Sequence, residues 1–517
     1  MPPTKNTNHR HLPIILLLTA NIICGLFVFR DYGLSWDEPL FYDYAESLGY
    51  AYSPAEWFSG DFNLENAYGA SGTDHANRGP AYILLARGPV KVLEAVGLDP
   101  PSAWHLVNFL TFQLGVYFFY RMALRWLRPG SAIAASALFA WQPLLLGHAF
   151  INPKDPPFLV FFLGAVLFGF EMADALDDDG KTRQKKILAV LLAGFFLGIS
   201  TSIRVLGPLA GLLVAIYALR HLNWKAIRVL LAYGTIAFIV MFITWPYLWI
   251  NPVQRFLEVF GFMSDNPTQL KVLFGGEIYS ADGLPRRYLP TLLGITLTEP
   301  VWILFLAGLI VGFWKSNRER FVSLTLVLAW FVVPFAYVLL RKPPMYDGFR
   351  HFLFMLPPVF IIAGFGFEKL LGLFHNRIIF IGLITLLLIP GLLASFALHP
   401  YEYAYYNAFV GGTSGAFRTY ETEYWLTCYK EAIEELQSRA TETSTMYVHR
   451  EAYIAATYPN ANLTVLDERG ALDQIKSGDY VLVNSRTNED EKTFEEAPIV
   501  LQVGRGNAIF CIIRRIP

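Results

Sequence analysis

The sequence predicts a polytopic α-helical membrane protein with a small α/β domain at its C-terminal end. Hydrophobic residues make up 54% of the 517 residues and charged residues only 16%, with a mean hydropathy of +0.39. A soluble chain of this length needs more charge to cover its surface, so lipid is the expected solvent for much of it. Apolar runs of spanning length recur as far as residue 398. Beyond His399 charge rises and the apolar residues fall into short β-like runs.

The apolar runs cover 12–29, 103–121, 131–149, 157–173, 187–203, 205–221, 226–248, 290–314, 320–340, 351–371 and 377–398. A spanning helix needs about 20 residues, because the hydrocarbon core is ~30 Å thick and each residue rises ~1.5 Å. Several runs touch that limit, so the expected count is about eleven, give or take about two. The first run follows Lys5 and Arg10, as in a signal peptide. It lacks a small-residue cleavage site and is long enough to stay as an anchor.

Orientation follows from the basic clusters. Arg121, Arg125 and Arg128 fill one turn, and Lys181, Arg183, Lys185 and Lys186 another. Arg220, Lys225 and Arg228 form a third cluster, and Lys315, Arg318 and Arg320 a fourth. A cytoplasmic N-terminus places all of them inside, as the positive-inside rule favours, and leaves the C-terminus outside.

Three outer regions follow: the loop 30–102, the segment 249–289 and the tail. Within the first, Pro80 to Leu98 is partly apolar but carries Arg87, Lys91 and Glu94, which suits a helix lying along the interface. The expected division is a transmembrane domain over 1–399 and an extracytoplasmic α/β domain over 400–517. The latter has a helix near 429–440 and strands at 445–449, 480–484, 499–503 and 508–513. No internal repeat is visible, which weakens an inverted-repeat transporter. A net charge of -1 gives no field that would recruit nucleic acid. Of the three cysteines, Cys428 and Cys511 share the tail and form either a disulfide or two buried thiols; Cys24 sits in an apolar run.

Chemistry concentrates at the outer ends of the spans. Ser35-Trp36-Asp37-Glu38-Pro39 sets two carboxylates among Trp36, Tyr42 and Tyr44 just beyond the first span. Partial desolvation there makes a carboxylate a usable general base. A solvated acidic pair flanked by interface aromatics is the alternative. The turn His148 to Pro157 carries Lys154 and Asp155 between prolines; Lys154 meets either a lipid phosphate or a nearby acid such as Asp155. Arg341 to His351 brings Arg350 and His351 to another outer turn, and Arg204 lies in a third. Ionisable groups at such depths are expensive and usually functional, and Arg suits phosphate. Mutual neutralisation of Asp37, Glu38 and Asp155 by Arg204 and Arg350 is compatible with this. Weaker candidates are His75 and Arg78, which end the first loop, and Glu299, at the outer end of a span. Tyr420 to Trp425 places two acids among aromatics, where packing of the tail is the expected role. No Walker loop, HExxH or nucleophile elbow is present.

An Asp-Glu pair in a long first outer loop, many spans and a soluble outer tail together resemble the GT-C glycosyltransferases. Within them the chain is most similar to the bacterial protein O-mannosyltransferase and aminoarabinose-transferase group. The segments that carry the likeness are Trp36-Asp37-Glu38-Pro39, Asn152-Pro153-Lys154-Asp155-Pro156, Tyr346-Asp347-Gly348-Phe349-Arg350-His351 and Tyr405 to Gly412. One departure stands out: many relatives carry a His-Pro-Pro type element late in the first loop, where this chain reads Asn77-Arg78-Gly79-Pro80. The Trp-Trp-Asp signature of oligosaccharyltransferases is absent from the tail.

The resemblance implies an inverting transfer of a sugar from a polyprenyl-phosphate carrier to an acceptor hydroxyl, in a bacterial-type plasma membrane. Asp37 maps onto the catalytic acid of the first loop, and Glu38 positions the acceptor or tunes Asp37. Lys154, Arg204, Arg350 and His351 are the expected ligands of the lipid phosphate, with Asp155, His75, Arg78 and Glu299 as accessories. No cofactor is expected, although Asp37, Glu38 and Asp155 are oxygen donors that a divalent metal accepts. The competing class is a lipid-phosphate or lipid-linked-sugar transporter that binds the same groups without chemistry. A transporter should show midplane ionisable residues and broken helices in paired positions, whereas charges gathered at one face favour the enzyme.

Overall fold

A computed structural model describes residues 8–265, 269–314, 317–373, 376–439, 443–458 and 462–517. Lys5 and Lys315, used above for orientation, lie outside them. Every apolar run is helical. Six helices among the described residues are long and apolar enough to cross a membrane, or up to eight if each of two bent pairs is one span. The chain is therefore a multi-pass integral membrane protein, with fewer clear spans than the sequence led us to expect. The stretch 208–244 passes as one span, although it comprises two helices, Pro208–Leu222 and Ala226–Thr244. Pro100–Ala123 carries His105, Asn108, Gln113 and Arg121, and Pro357–Leu373 is only 17 residues long. Most of both helices is buried against other parts of the protein, where polar side chains find partners that lipid does not provide.

The two bent pairs are joined through one side chain. Pro129–Ala140 and Pro143–Ile151 meet at 59°, and Tyr288–Thr296 and Glu299–Phe313 at 105°. Both breaks precede a proline by one or two residues, which pushes the preceding backbone out of the helical region. Gln142, fully buried at the first break, donates from Nε2 to the Thr296 carbonyl at 3.2 Å. Its Oε1 accepts from Thr298 N at 3.3 Å and Thr298 Oγ1 at 3.1 Å. Backbone groups freed by a break at membrane depth need such a partner.

The segment 249–289 contains a helix, Pro252–Asp265, and a hairpin of β1 (Lys271–Phe274) and β2 (Glu277–Ser280). Its turn is Gly275-Gly276, with φ of +67° and +81°, the conformation a two-residue hairpin requires. The hairpin leans on the tail through Gly276 N donating to the Thr419 carbonyl at 3.0 Å.

The tail opens with turns over Glu402–Ala404 and Ala408–Val410 and contains the helix Cys428–Arg439. Its strands are β3 (Ser444–Val448), β4 (Leu463–Asp467), β5 (Tyr480–Asn484), β6 (Ile499–Arg505) and β7 (Ala508–Arg515). They form one mixed sheet in the order β4-β3-β5-β7-β6, with β3 parallel to β4 and β5, and β7 antiparallel to β5 and β6. Strand β4, Leu463-Thr-Val-Leu-Asp, escaped the sequence reading. Cys428 and Cys511 are both buried free thiols.

The tail packs directly on the helical bundle. A Cβ on Gly147 would sit 2.2 Å from Tyr403 N, so only glycine lets the helix Pro143–Ile151 approach the tail backbone this closely. Trp36 N donates to the Trp425 carbonyl at 3.0 Å, and Tyr453 Oη donates to the Trp36 carbonyl at 2.5 Å. His399 ties the ends of the first and last spans: its Nε2 lies 2.9 Å from Asp31 and its Nδ1 2.7 Å from Glu402. Burial lowers the basicity of this imidazole, but hydrogen bonds and charge from Glu402 and Asp31 outweigh it and hold the pKa above the usual histidine range. A raised folded pKa stabilises fully below the unfolded value and is lost as pH rises through the folded one. Melting temperature is therefore expected to fall through this contact as pH rises above the ordinary histidine range, about 6.5. His399→Gln should flatten that slope; an unchanged slope would remove His399 as its source.

Candidate functional site

Asp37 ends the segment that leaves the first span and caps the helix Glu38–Ala51, whose second residue is Pro39. Its carboxylate is 12% exposed and lies 3.5 Å from Arg350 Nη1. Glu38 points elsewhere and is fully buried. It accepts from Ser35 N at 2.6 Å and Tyr42 Oη at 2.6 Å, and His105 Nε2 lies 3.1 Å away. Adjacent in sequence, the two acids thus have different surroundings. Asp37 faces the charged cluster, and Glu38 locks the turn that presents it.

The prolines of Asn152-Pro153-Lys154-Asp155-Pro156 bound a tight turn before the helix Asp155–Asp177. Asn152 Oδ1 accepts from the backbone N of Lys154 at 3.0 Å and of Asp155 at 2.9 Å, while its Nδ2 donates to Asp155 Oδ2 at 2.8 Å. Asp155 is nearly fully buried and paired with two guanidiniums, Arg204 and Arg350, the latter 3.3 Å away. Arg204 arrives from the C-cap of the helix Arg183–Ile203. Arg350 is buried over the ring of Trp425, 4.5 Å from its centroid.

Lys154 differs from these arginines. It is 7% exposed, its ammonium lies 5.7 Å from the Phe41 ring centroid, and it pairs with no carboxylate among the described residues. Arg204 and Arg78 repel it, while Asp155 and Asp37 attract it from beyond ion-pair distance. The Nε atoms of Arg204 and Arg350 and the indole N–H groups of Trp36 and Trp425 are also buried without acceptors. Buried donors without acceptors on the two arginines that flank Asp155, next to a buried lysine, suit an anion. His351 stacks edge-on against Tyr346 at 4.8 Å, beside Arg350.

Behind Arg350 runs a chain of buried charges that ends in the tail. Arg350 Nη2 donates to Asp347 Oδ2 at 2.7 Å, and Arg486 Nη2 lies 2.6 Å from Asp347 Oδ1. Arg486 Nε is 3.3 Å from Glu421 Oε1, and its Nη1 donates to the Tyr424 carbonyl at 3.3 Å. Burial pushes the Glu421 carboxyl up to about 7, against the pull of Arg486. Asp347 and the two residues after Arg486 sit in unusual backbone. Asp347 has a φ of +55° and is followed by Gly348 at +67°, while Thr487 and Asn488, directly after Arg486, have φ of +54° and +59°. Non-glycine residues at positive φ cost energy, and they cluster where a side chain must be aimed. Sequence reading missed Arg486, which follows a strand in Asn-Ser-Arg-Thr with no signal of its own. It also missed His105, which the helix Pro100–Ala123 brings to Glu38, and it gave no role to His148, whose Nε2 lies 3.1 Å from Tyr424 Oη.

The accessory candidates separate. His75 packs edge-on against Phe41 at 5.0 Å and Tyr44 at 5.9 Å, close to the helix that Asp37 caps. Arg78 is brought toward Lys154 by the departure noted in the sequence. A Cβ on Gly79 would meet the Ser202 carbonyl at 2.0 Å, so glycine lets this loop close on the end of the Arg204 helix. Glu299 stands apart from the cluster, accepting from Ala408 N at 2.7 Å at the start of the tail. Tyr420 to Trp425, expected to pack the tail against the membrane domain, meets it through Trp425, whose carbonyl accepts from Trp36 N at 3.0 Å and whose ring lies under Arg350. Glu423 accepts within the tail from Tyr403 Oη at 2.5 Å, Leu426 N at 3.0 Å and Thr427 N at 2.9 Å. No three His, Cys, Asp or Glu side chains gather around a metal-sized position among the described residues.

No family model and no curated protein matches the sequence. Solved structures do match in fold. ArnT from Cupriavidus metallidurans in its apo state superposes with a TM-score of 0.51 at 14% identity, over 96% of this chain and 97% of that one. The Archaeoglobus fulgidus oligosaccharyltransferase in its apo form gives a TM-score of 0.50 at 10% identity, over 93% of this chain and 70% of that one. The chain shares the fold of these two proteins.

Proposed function

We propose that the protein transfers a sugar from a polyprenyl-phosphate carrier to an acceptor hydroxyl at the membrane face that carries the tail, with inversion. The observation that carries this reading is Lys154: a buried cation without a carboxylate partner among the described residues, beside Arg204, Arg350 and a general-base candidate, Asp37. A shared fold with transferases agrees with it. That face is the outer one under the positive-inside rule.

In this mechanism Asp37 takes the proton of the acceptor hydroxyl as its oxygen attacks the anomeric carbon. The bond to the carrier phosphate breaks on the opposite side, and the electron pair leaves with the phosphate oxygen. Lys154, Arg204 and Arg350 stabilise the charge that grows there, in a site already desolvated. Glu38 holds the turn around Asp37 instead of meeting substrate. Asp155 keeps Arg204 and Arg350 pointing into the site while leaving their Nε donors uncommitted.

Purified protein incubated with polyprenyl-phosphate sugars and an acceptor hydroxyl should release polyprenyl phosphate. Lys154→Gln should raise KM for the donor, about 10-fold or more, because a charge-assisted contact to phosphate is worth about 1.5–3 kcal/mol. Donor binding without release of polyprenyl phosphate under any acceptor would replace the transferase with a lipid-binding or transport role.

A further inference from the structure

At the end of the bundle remote from Asp37, a cavity of about 450 Å³ opens among Trp126, Arg128, Arg320, Glu368, Lys369 and Leu373. The helix Pro357–Leu373 separates it from the candidate site. That helix starts just after the turn holding Arg350, and Glu368 and Lys369 lie in its last two turns, roughly 17 Å further along at ~1.5 Å per residue.

Three cations and one carboxylate line this cavity, and the carboxylate is already engaged. Glu368 accepts from Arg128 N and Arg128 Nε, both at 2.5 Å, and its carbonyl accepts from Arg128 Nη2 at 3.1 Å. Arg320 and Lys369 pair with no carboxylate among the described residues. The Arg320 guanidinium lies 4.8 Å from the Phe365 ring centroid, and its Nε is buried without an acceptor. A planar guanidinium held on an aromatic face is pre-organised for an oxyanion. Trp126 on the rim is a residue type that settles at headgroup depth, and Leu373 continues the lining with apolar surface.

We propose that this cavity binds a phosphate group, as presented by the headgroup of an anionic membrane lipid. Basic pockets between span ends are where such headgroups dock, and each added cation near the surface is worth about 1 kcal/mol. The site is independent of the transfer reaction proposed above, because it shares no residue with it.

The test uses the full chain in detergent, with lipid retention read by native mass spectrometry and melting temperature measured in parallel. Phosphatidylglycerol should be retained, and should raise the melting temperature, more than phosphatidylcholine does. Lys369 is exposed and unpaired, so Lys369→Gln should fold normally and bind phosphatidylglycerol about five-fold more weakly. Arg320→Lys keeps the charge but loses the fork and should also weaken binding. Adding Arg320→Gln to Lys369→Gln should abolish the preference over phosphatidylcholine. Stabilisation by inorganic phosphate alone, with no gain from the lipid, would assign the same site to a free anion. Equal retention of both lipids, or a double variant that binds phosphatidylglycerol like the parent, overturns the proposal.

Discussion

Asp37→Asn is expected to lower kcat for sugar transfer by about 100- to 10,000-fold, the range a positioned general base contributes. The amide keeps the size of the carboxylate, so the turn held by Glu38, Ser35 and Tyr42 should survive, and melting temperature should stay near the parent value. Donor KM should change little, since the phosphate contacts belong to Lys154, Arg204 and Arg350. Glu38→Gln provides the contrast. Glu38 is fully buried and accepts from Ser35 N, so an amide there leaves donors facing donors and should cost stability before it costs chemistry. If Asp37→Asn retained the parent kcat, the proton would have to go elsewhere.

That contrast marks the limit of what the sequence shows. Hydropathy reveals the helices because lipid imposes the same demand on every span, and the basic clusters read as turns for the same reason. The groups at the site were visible one by one: Asp37, Lys154, Arg204 and Arg350 all stood out as charges where charge is expensive. Their pairing was visible only in part: neutralisation of Asp37 and Asp155 by Arg204 and Arg350 was open from the sequence, but the separate place of Glu38 was not. Asp37 and Glu38 are neighbours in the chain and part company in space, because the helix starting at Glu38 turns one side chain toward Arg350 and the other toward His105. Gln142 looked like an ordinary polar residue in an apolar run, and its role depends on a second break more than 150 residues later. Arg486 was illegible for a similar reason. Its partners, Asp347 and Glu421, come from a membrane-side turn and from the start of the tail, and nothing local to any of the three announces the others.

Arg486 carries the second large effect. Removing one partner from a buried ion pair leaves the other uncompensated and typically costs about 3–5 kcal/mol, so Arg486→Gln should lower the melting temperature markedly. Two carboxylates lose a cation at once: Asp347 keeps Arg350, while Glu421 keeps only weaker, more distant charges. Glu421, already pushed up to about 7 by burial, should then titrate higher still. A carboxyl whose folded pKa is raised destabilises as pH climbs from its unfolded value through the folded one. The penalty of Arg486→Gln should accordingly shrink below about pH 6, where Glu421 is neutral. Replacing both partners of a buried pair is far milder than replacing one. Arg486→Gln with Glu421→Gln should therefore recover much of the lost stability. It should not recover kcat. Asp347 would then be held by Arg350 alone, in a backbone conformation that favours its release, and Arg350 would lose the fixed direction in which it faces Asp37 and Asp155. A double variant that regains stability and full turnover together would reduce Arg486 to a structural strut. One that regains stability alone makes the tail a working part of the site.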